Sequence, residues 1–249
     1  MIKLTNIEIL KYKSFTTPQS VHIEDDITVL VGMNESGKTS ILECLAKTNY
    51  FETDEKFKFN QTLDYPRKEL KSINKSDENP NAIICKYKLS KQLIDFIEHL
   101  LGKGTWQGKD EITVTSSYKD GATLISGVSI NFEAFLKHFN LSGISENLKN
   151  ELKSTLTISE FDELLTRFPE ESEKLEPLKK YFFKSSTWNT FIERYVYTSL
   201  IKRHLPKFIY YDEYYQLPSR IVLENFLDEG VELSDDLKTA KALLDLADI

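Results

Sequence analysis

The residues best suited to chemistry are two glycines, a lysine and a threonine at the start of a predicted helix. Gly32, Gly37, Lys38 and Thr39 follow the spacing G-x-x-x-x-G-K-[ST], which is typical of a loop that binds phosphate groups. Glycine lets the main chain turn sharply and approach an anion closely. Free amide groups at a helix N-terminus favour negative charge. The pattern therefore predicts a site for a nucleoside triphosphate.

Each part of this loop has a predicted role in holding ATP and Mg²⁺. Lys38 is expected to reach the β- and γ-phosphate oxygens, and Thr39 to give its hydroxyl to Mg²⁺. Ser40 is expected to bond the α-phosphate, and the amides of residues 35–40 to line the pocket. A glycine turn that contains these residues by chance is disfavoured, because the preceding strand, the spacing and the following helix agree. The predicted nucleotide-binding residues of the loop are Gly32, Asn34, Glu35, Ser36, Gly37, Lys38, Thr39 and Ser40.

Local patterns supply the elements that must position this loop. Residues 27–31 are apolar on both faces, which predicts a central strand covered on both sides. Residues 41–45 carry apolar side chains at helical spacing, and residues 2–10 and 20–23 predict two further strands. The loop is therefore predicted to join a buried strand to a helix.

The rest of the chain mixes strand and helix patterns. Ser90 and Gly102 are predicted to cap and end one helix. We expect an α/β fold, a P-loop NTPase sheet formed by residues 1–89 and 205–249, with a mainly helical insertion at 90–204. The other predicted elements are a strand at 82–89, a hairpin at 111–118 and 123–130, and helices around 131–140, 145–155, 158–168 and 186–204. An apolar helical pattern in residues 235–249 runs to the last residue without a stop signal, so we expect a truncated or early-ending chain.

Composition excludes several classes of protein. With 40% hydrophobic and 29% charged residues, the 249-residue chain is typical of a globular protein. No apolar run approaches the roughly 20 residues that span a bilayer, and the N-terminus lacks a secretory pattern. Cys44 and Cys85 are interpreted as reduced core thiols, so we expect a cytoplasmic protein without a membrane partner. The net charge of −7 argues against a generally basic nucleic-acid binder, although lysine clusters at 11–13, 66–71 and 201–207 leave local DNA contact open.

Two stretches resemble the RecF, SMC and OLD (overcoming lysogenization defect) group of ABC-type ATPases. Lys13, Ser14 and Phe15 match a basic and aromatic box of that group, with Tyr12 in place of the usual phenylalanine. The sequence VLVGMNESGKTSILECL matches its phosphate loop. The sequences DYPRKEL and FIYYDEYYQLP are similar to OLD-like antiviral ATPases.

The resemblance implies an ABC-type head that hydrolyses ATP as a homodimer or larger assembly, with a signature serine supplied by the partner. It adds Lys13 to the candidate nucleotide-binding residues, and it implies a downstream nuclease or other effector. The expected signature motif is missing, since NLSGISE (140–146) lies too far before FIYYDE and is interpreted as a chance match. No D-loop motif or switch histidine follows FIYYDE.

Two interpretations of FIYYDE remain open. As a Walker B strand, it would place Asp212 near Mg²⁺ through water and let Glu213 polarise the attacking water. As a core strand beside the phosphate loop, it would not be a Walker B strand, but Asp212 or Gln216 could still face the metal, because the C-terminal end of the strand lies at the nucleotide edge of the sheet. Gln61 is a weaker candidate for a Q-loop residue.

Three functions are compatible with these patterns. The first is the ATP-binding head of an OLD-like or SMC-like ATPase. The resemblance to OLD-like proteins implies a place in an antiviral system. The second is a nucleotide-gated assembly module that cannot hydrolyse ATP alone. The third, less favoured, is a P-loop kinase for a small molecule, in which the insertion would act as a lid.

Overall fold

The computed structural model describes residues 2–119, 123–211 and 220–222, together with Leu237, Ala240, Lys241 and Leu244. Within these ranges the chain is an α/β protein, as predicted. None of the helices there has the length and apolar character needed to cross a membrane.

A single antiparallel sheet organises the described chain. Its strand order is β2-β1-β3-β4-β5. The strands are β1 (Ile2–Ile9), β2 (Gln19–His22), β3 (Asn81–Leu89), β4 (Glu111–Ser117) and β5 (Thr123–Ser126). All five lie in or beside regions predicted to be extended. β4 and β5, from the predicted insertion, continue the same sheet as β1 to β3, and the division into core and insertion stays a prediction.

The register places apolar side chains of the central strands together. Ile7 of β1 lies opposite Val21 of β2 and Cys85 of β3, and Cys85 lies opposite Val114 of β4. Ile7 and Cys85 are both buried. Since antiparallel neighbours pack side by side on one face, this row forms one layer of the core.

Helices cover the sheet and form the second half of the described chain. The α-helices are α1 (Lys38–Ala46), α2 (Gln61–Asp64), α3 (Leu70–Ile73), α4 (Lys91–Leu101), α5 (Phe132–His138), α6 (Glu146–Ser154), α7 (Ile158–Arg167), α8 (Ser172–Leu175) and α9 (Phe191–Tyr195). A π-helical segment, Val196–Ile201, continues α9. Cys44 of α1 is fully buried in the same core as Cys85, and both cysteines are free, as predicted. Burial raises the pKa of both thiols.

The two ends of α4 follow the prediction from sequence. The Ser90 side chain accepts a hydrogen bond from the Leu93 amide at 3.3 Å, and Gly102 follows the helix with a φ of 109°. Leu93, Ile97 and Leu101 bury one face of the helix. The cap fixes where that apolar face begins.

Replacing Ser90 with alanine is expected to lower the free energy of unfolding by about 1 kcal/mol, because the Leu93 amide loses its acceptor. Chemical denaturation of the two proteins measures the difference. Ser154→Ala is the matched control, because the Ser154 hydroxyl bonds the Glu151 carbonyl in the last turn of α6 rather than an N-terminal amide. Equal stability of Ser90→Ala and the unmodified protein would contradict the assigned cap.

The prediction of a buried strand at residues 27–31 is wrong for the described structure. This segment pairs with no described strand, and Ile27, Val29 and Val31 are 76%, 73% and 89% exposed. Thr28 and Leu30, between them, are half-buried. The prediction required cover on both faces, and the described residues cover only one. Exposed and half-buried side chains alternate along the segment as they would along a strand, but the segment pairs with no described strand.

Candidate functional site

The phosphate loop turns through two residues with positive φ before α1 begins. Glu35 has a φ of 63° and Gly37 a φ of 95°. Gly37 is the N-cap of α1, and no side chain caps the helix there. Backbone in this region favours glycine, so Gly37 directs the chain into α1 with the helix N-terminus uncovered.

The first amides of α1 are free to bind an anion. The amides of Lys38, Thr39 and Ser40 donate no hydrogen bond to any described residue, whereas the Ile41 amide donates to the Gly37 carbonyl at 3.0 Å. Unpaired amides and the helix dipole together give a partial positive charge at this end. The loop is also exposed from Val31 to Ser36. This arrangement can bind a phosphate group from solvent.

The Lys38 side chain folds back over the same loop. Its Nζ donates to the carbonyls of Gly32 at 2.8 Å and Met33 at 2.7 Å, and lies 3.5 Å from the Ser36 hydroxyl. These bonds hold the ammonium group within the phosphate loop that leads into α1. No carboxylate of a described residue forms an ion pair with Lys38. Its charge is therefore available for an anionic ligand.

Thr39 suits the predicted role toward Mg²⁺. Its side chain is exposed in the first turn of α1, directly after Lys38. A hydroxyl oxygen is a ligand that Mg²⁺ accepts, with water and phosphate oxygens completing the shell. The described residues contain no group of three or more acidic, histidine or cysteine side chains that could hold a metal by themselves. Mg²⁺ at this site would therefore depend on the nucleotide for most of its ligands.

The basic and aromatic box, Lys13 to Phe15, packs against the phosphate loop and α1. A Cβ atom on Gly37 would lie 2.7 Å from Cζ of Phe15, so the phenylalanine ring packs directly against this glycine. Lys13 forms an ion pair with Glu43 on the second turn of α1. Lys13 thus lies beside α1 and is paired, and its proposed contact with nucleotide stays a prediction. Lys11 of the same cluster is paired with Glu69 at 2.7 Å.

Replacing Gly37 with alanine is expected to lower the free energy of unfolding by about 2 kcal/mol and to weaken nucleotide binding. A left-handed backbone costs an alanine roughly 1–2 kcal/mol, and the new Cβ would also displace the Phe15 ring. Chemical denaturation and calorimetric titration measure the two effects.

Gly104→Ala is the matched control for Gly37→Ala. Gly104 has a φ of 78°, yet a Cβ there would meet nothing within 4 Å. It therefore reports the backbone strain alone. If the two variants lose equal stability and both bind nucleotide normally, the packing of Phe15 under the loop has no role.

A buried ion pair links the end of α1 to the segment after it, and sequence analysis did not predict this pair. Lys47 Nζ lies 2.7 Å from Asp64 Oδ2, and the two side chains are 11% and 3% exposed. Asp64 also accepts from the Asn60 amide at 2.8 Å, and its carbonyl accepts from the Lys13 amide at 2.6 Å. The pair fixes the box and α1 against each other. Asp64 is the first residue of DYPRKEL, a stretch that is similar to OLD-like ATPases but does not by itself predict an ion pair with Lys47.

The other predicted residues lie apart from the loop or outside the described residues. Asp212, Glu213 and Gln216 are outside the described ranges. Just before Asp212, Phe208 forms a parallel bridge with Tyr50, which lies in the segment after α1. Gln61 donates to the Asn74 side chain at 2.9 Å. Ser142 of NLSGISE lies in the exposed connection between α5 and α6.

Comparison with family models assigns the chain to a family. A family model described as an AAA ATPase domain matches residues 2–233. No curated protein matches the chain. A solved structure from work on ATP-driven dimerization and DNA-stimulated activation of SMC ATPases is similar over 71% of this chain and 96% of its own chain, with 15% sequence identity and a TM-score of 0.33. Since the family model covers nearly the whole chain, including the phosphate loop, this protein belongs to the AAA ATPase domain family.

Proposed function

We propose that this protein is an ATP-binding head that binds ATP with Mg²⁺ on residues 32–40 and assembles with another protein chain through the neighbouring surface. The unbonded amides of Lys38, Thr39 and Ser40 are the observation that carries the proposal. They form the anion site, Lys38 contacts the terminal phosphates, and Thr39 binds Mg²⁺. The other loop residues, Asn34 to Ser36, shape the turn.

The proposed assembly surface is the outer face of residues 27–33. Ile27, Val29, Val31 and Met33 alternate along the chain and are between 73% and 89% exposed. The amides of residues 27–33 donate no main-chain hydrogen bond to the described residues. An unpaired, apolar extended segment readily adds a strand from another chain. Because Gly32 and Met33 also hold Lys38, a bound partner and a bound nucleotide would influence each other.

A second copy of the head, as the resemblance to the OLD and SMC group implies, is the partner that we propose. By the same resemblance, the assembly would signal to a nuclease or other effector, in a cytoplasmic antiviral system. Asp212 and Glu213 remain proposed contributors to Mg²⁺ binding and water activation. Both lysines of the cluster at 11–13 are paired with carboxylates, so local DNA contact, which stays a prediction, would depend on the clusters at 66–71 and 201–207.

A head that binds ATP without hydrolysing it alone is the second candidate function. Among the described residues, the Glu43 carboxylate on α1 is paired with Lys13. No carboxylate of a described residue bonds to the Lys38 ammonium in the phosphate loop. A base that activates water is required for hydrolysis. This candidate predicts that ATP binds and drives assembly, and that turnover needs a further component.

Light scattering coupled to size exclusion tests the proposal with ATP, ADP and no nucleotide, each with Mg²⁺. We expect a larger assembly with ATP than with ADP. Val29→Asp should bind ATP normally and stay monomeric, because it places a charge on the apolar face. Leu124→Asp is the control, since Leu124 is also exposed, at 67%, but lies on β5.

Phosphate release, measured in the same samples, separates the two candidates. Turnover by the assembled protein supports the hydrolysing head, whereas assembly without turnover supports the second candidate. An unchanged monomer with ATP bound would reject the proposed assembly. Absence of ATP binding would reject both candidates.

A further inference from the structure

A cavity of about 450 Å³ lies where the sheet meets the segment around α9. Val114 of β4 and Ile125 of β5 line one side, and Trp188, Arg194 and Lys202 line the other. Thr48, just beyond the C-terminal end of α1, also borders the cavity. The nine residues of α1 span roughly 13 Å, so the cavity is separate from the phosphate loop at the other end of that helix.

The charges that line this cavity are positive and unpaired. Arg194 and Lys202 contribute two cations, and the described lining residues include no aspartate or glutamate. Neither side chain makes an ion pair with a described residue. For Arg194, whose Nη1 atom is buried, the lack of a counter-charge is costly, whereas Lys202 is exposed. A bound anion would remove that cost.

Arg194 is the most constrained of these groups. Its Nη1 atom is buried and has no hydrogen-bond partner, and its guanidinium carbon lies 4.3 Å from the centre of the Phe183 ring. Burial lowers the pKa of Arg194. The contact with Phe183 restricts the position of the guanidinium group, and a guanidinium group suits the oxygens of a phosphate.

The cavity also offers an aromatic wall and hydroxyl groups. The rings of Trp188 and Tyr197 lie 5.5 Å apart with an angle of 30° between their planes. Ser185 and Thr187, on the same connection as Trp188, add exposed hydroxyl groups. Planar rings favour stacking with another planar ring, and hydroxyls complete the shell of a phosphate. The volume lies within the range of cavities that hold small ligands, about 300–1,000 Å³.

We propose that this cavity binds a small organic phosphate with a planar ring, of the size of a nucleoside monophosphate. Arg194 and Lys202 bind the phosphate, and the ring lies against Trp188. The site is distinct from the phosphate loop and does not depend on the proposed ATPase function.

Calorimetric titration of AMP into the full chain tests this site. The titration is made in a Lys38→Ala background, which removes the phosphate-loop contribution. Adenosine and inorganic phosphate, titrated separately, report the ring and the phosphate alone. We expect AMP to bind more tightly than either part and with the same affinity when Lys38 is restored and the loop is filled with ATP.

Two variants test whether AMP binds in this cavity. Arg194→Met should weaken AMP binding at least about tenfold, the size expected for a hydrogen bond to a charged group. Lys202→Met should weaken it several-fold, and since Lys202 is exposed its removal leaves the fold intact. Arg203→Met is the control, because Arg203 is the next residue, is exposed and does not line the cavity. Thermal unfolding checks that each variant is folded.

The AMP affinities of these variants either support or overturn the proposed site. Loss of AMP affinity in both Arg194→Met and Lys202→Met, with Arg203→Met unchanged, supports the proposed site. No saturable AMP binding, or equal affinity in Lys202→Met and Arg203→Met, overturns it. Adenosine that binds as tightly as AMP overturns the phosphate assignment, and phosphate that binds as tightly as AMP overturns the ring assignment.

Discussion

Replacing Lys38 with alanine is expected to weaken ATP binding by about 100-fold or more. The Lys38 ammonium is held within the phosphate loop by two carbonyls of that loop. Contacts from this ammonium to two phosphate oxygens contribute about 1.5–3 kcal/mol each as charged hydrogen bonds, and together correspond to at least a factor of 100. Calorimetric titration of ATP with Mg²⁺ measures the affinity.

Lys91→Ala is the matched control for Lys38→Ala. Lys91 is an exposed lysine in the first turn of α4, away from the loop. It should bind ATP as the unmodified protein does. Thermal unfolding should show both variants folded, because Lys38 bonds only to its own loop. An Lys38→Ala protein that keeps its affinity within about threefold would remove Lys38 from the ATP site.

Replacing Asp64 with alanine is expected to lower the free energy of unfolding by about 3–5 kcal/mol, because it leaves Lys47 buried without its counter-charge. The change also removes the acceptor of the Asn60 amide. For a protein of this size each kcal/mol corresponds to roughly 2–4 °C, so the midpoint of thermal unfolding should fall by about 6 °C or more. Differential scanning calorimetry measures this shift.

Two further variants separate burial from charge at this pair. Asp64→Ala combined with Lys47→Met should regain part of the stability, since no unpaired charge is then buried. Glu55→Ala should change stability by less than about 1 kcal/mol, because Glu55 and Lys58 form an exposed pair. If Asp64→Ala has as small an effect as Glu55→Ala, the buried pair does not hold α1 in place.

Local features of the fold could be predicted because their causes are local. The Ser90 hydroxyl and Gly102 mark the ends of α4, and both signals lie within a few residues of the structure they determine. The phosphate loop is similar, since glycine positions and the following helix pattern determine its course. For the same reason, the loop residues could be identified without knowing how the strands pair.

Features that depend on distant residues could not be predicted in the same way. β1 lies between β2 and β3, and β3 follows more than fifty residues after β2. The pair of Lys47 and Asp64 joins two segments through burial, which a charge pattern alone does not reveal. Residues 27–31 illustrate the same limit. Their apolar pattern predicts a buried strand, but burial also requires a distant part of the chain to cover the outer face, and the local pattern does not show whether one does.

The ATP site of the proposed function rests on the free amides at the start of α1, and nuclear magnetic resonance of these amides tests it directly. The measurement follows the amide signals of labelled protein during titration with ATP and Mg²⁺. We expect large, saturable shifts for Gly37, Lys38, Thr39 and Ser40, and smaller shifts elsewhere. Saturable ATP binding that leaves these four signals in place, and moves signals elsewhere, would contradict the proposed ATP site.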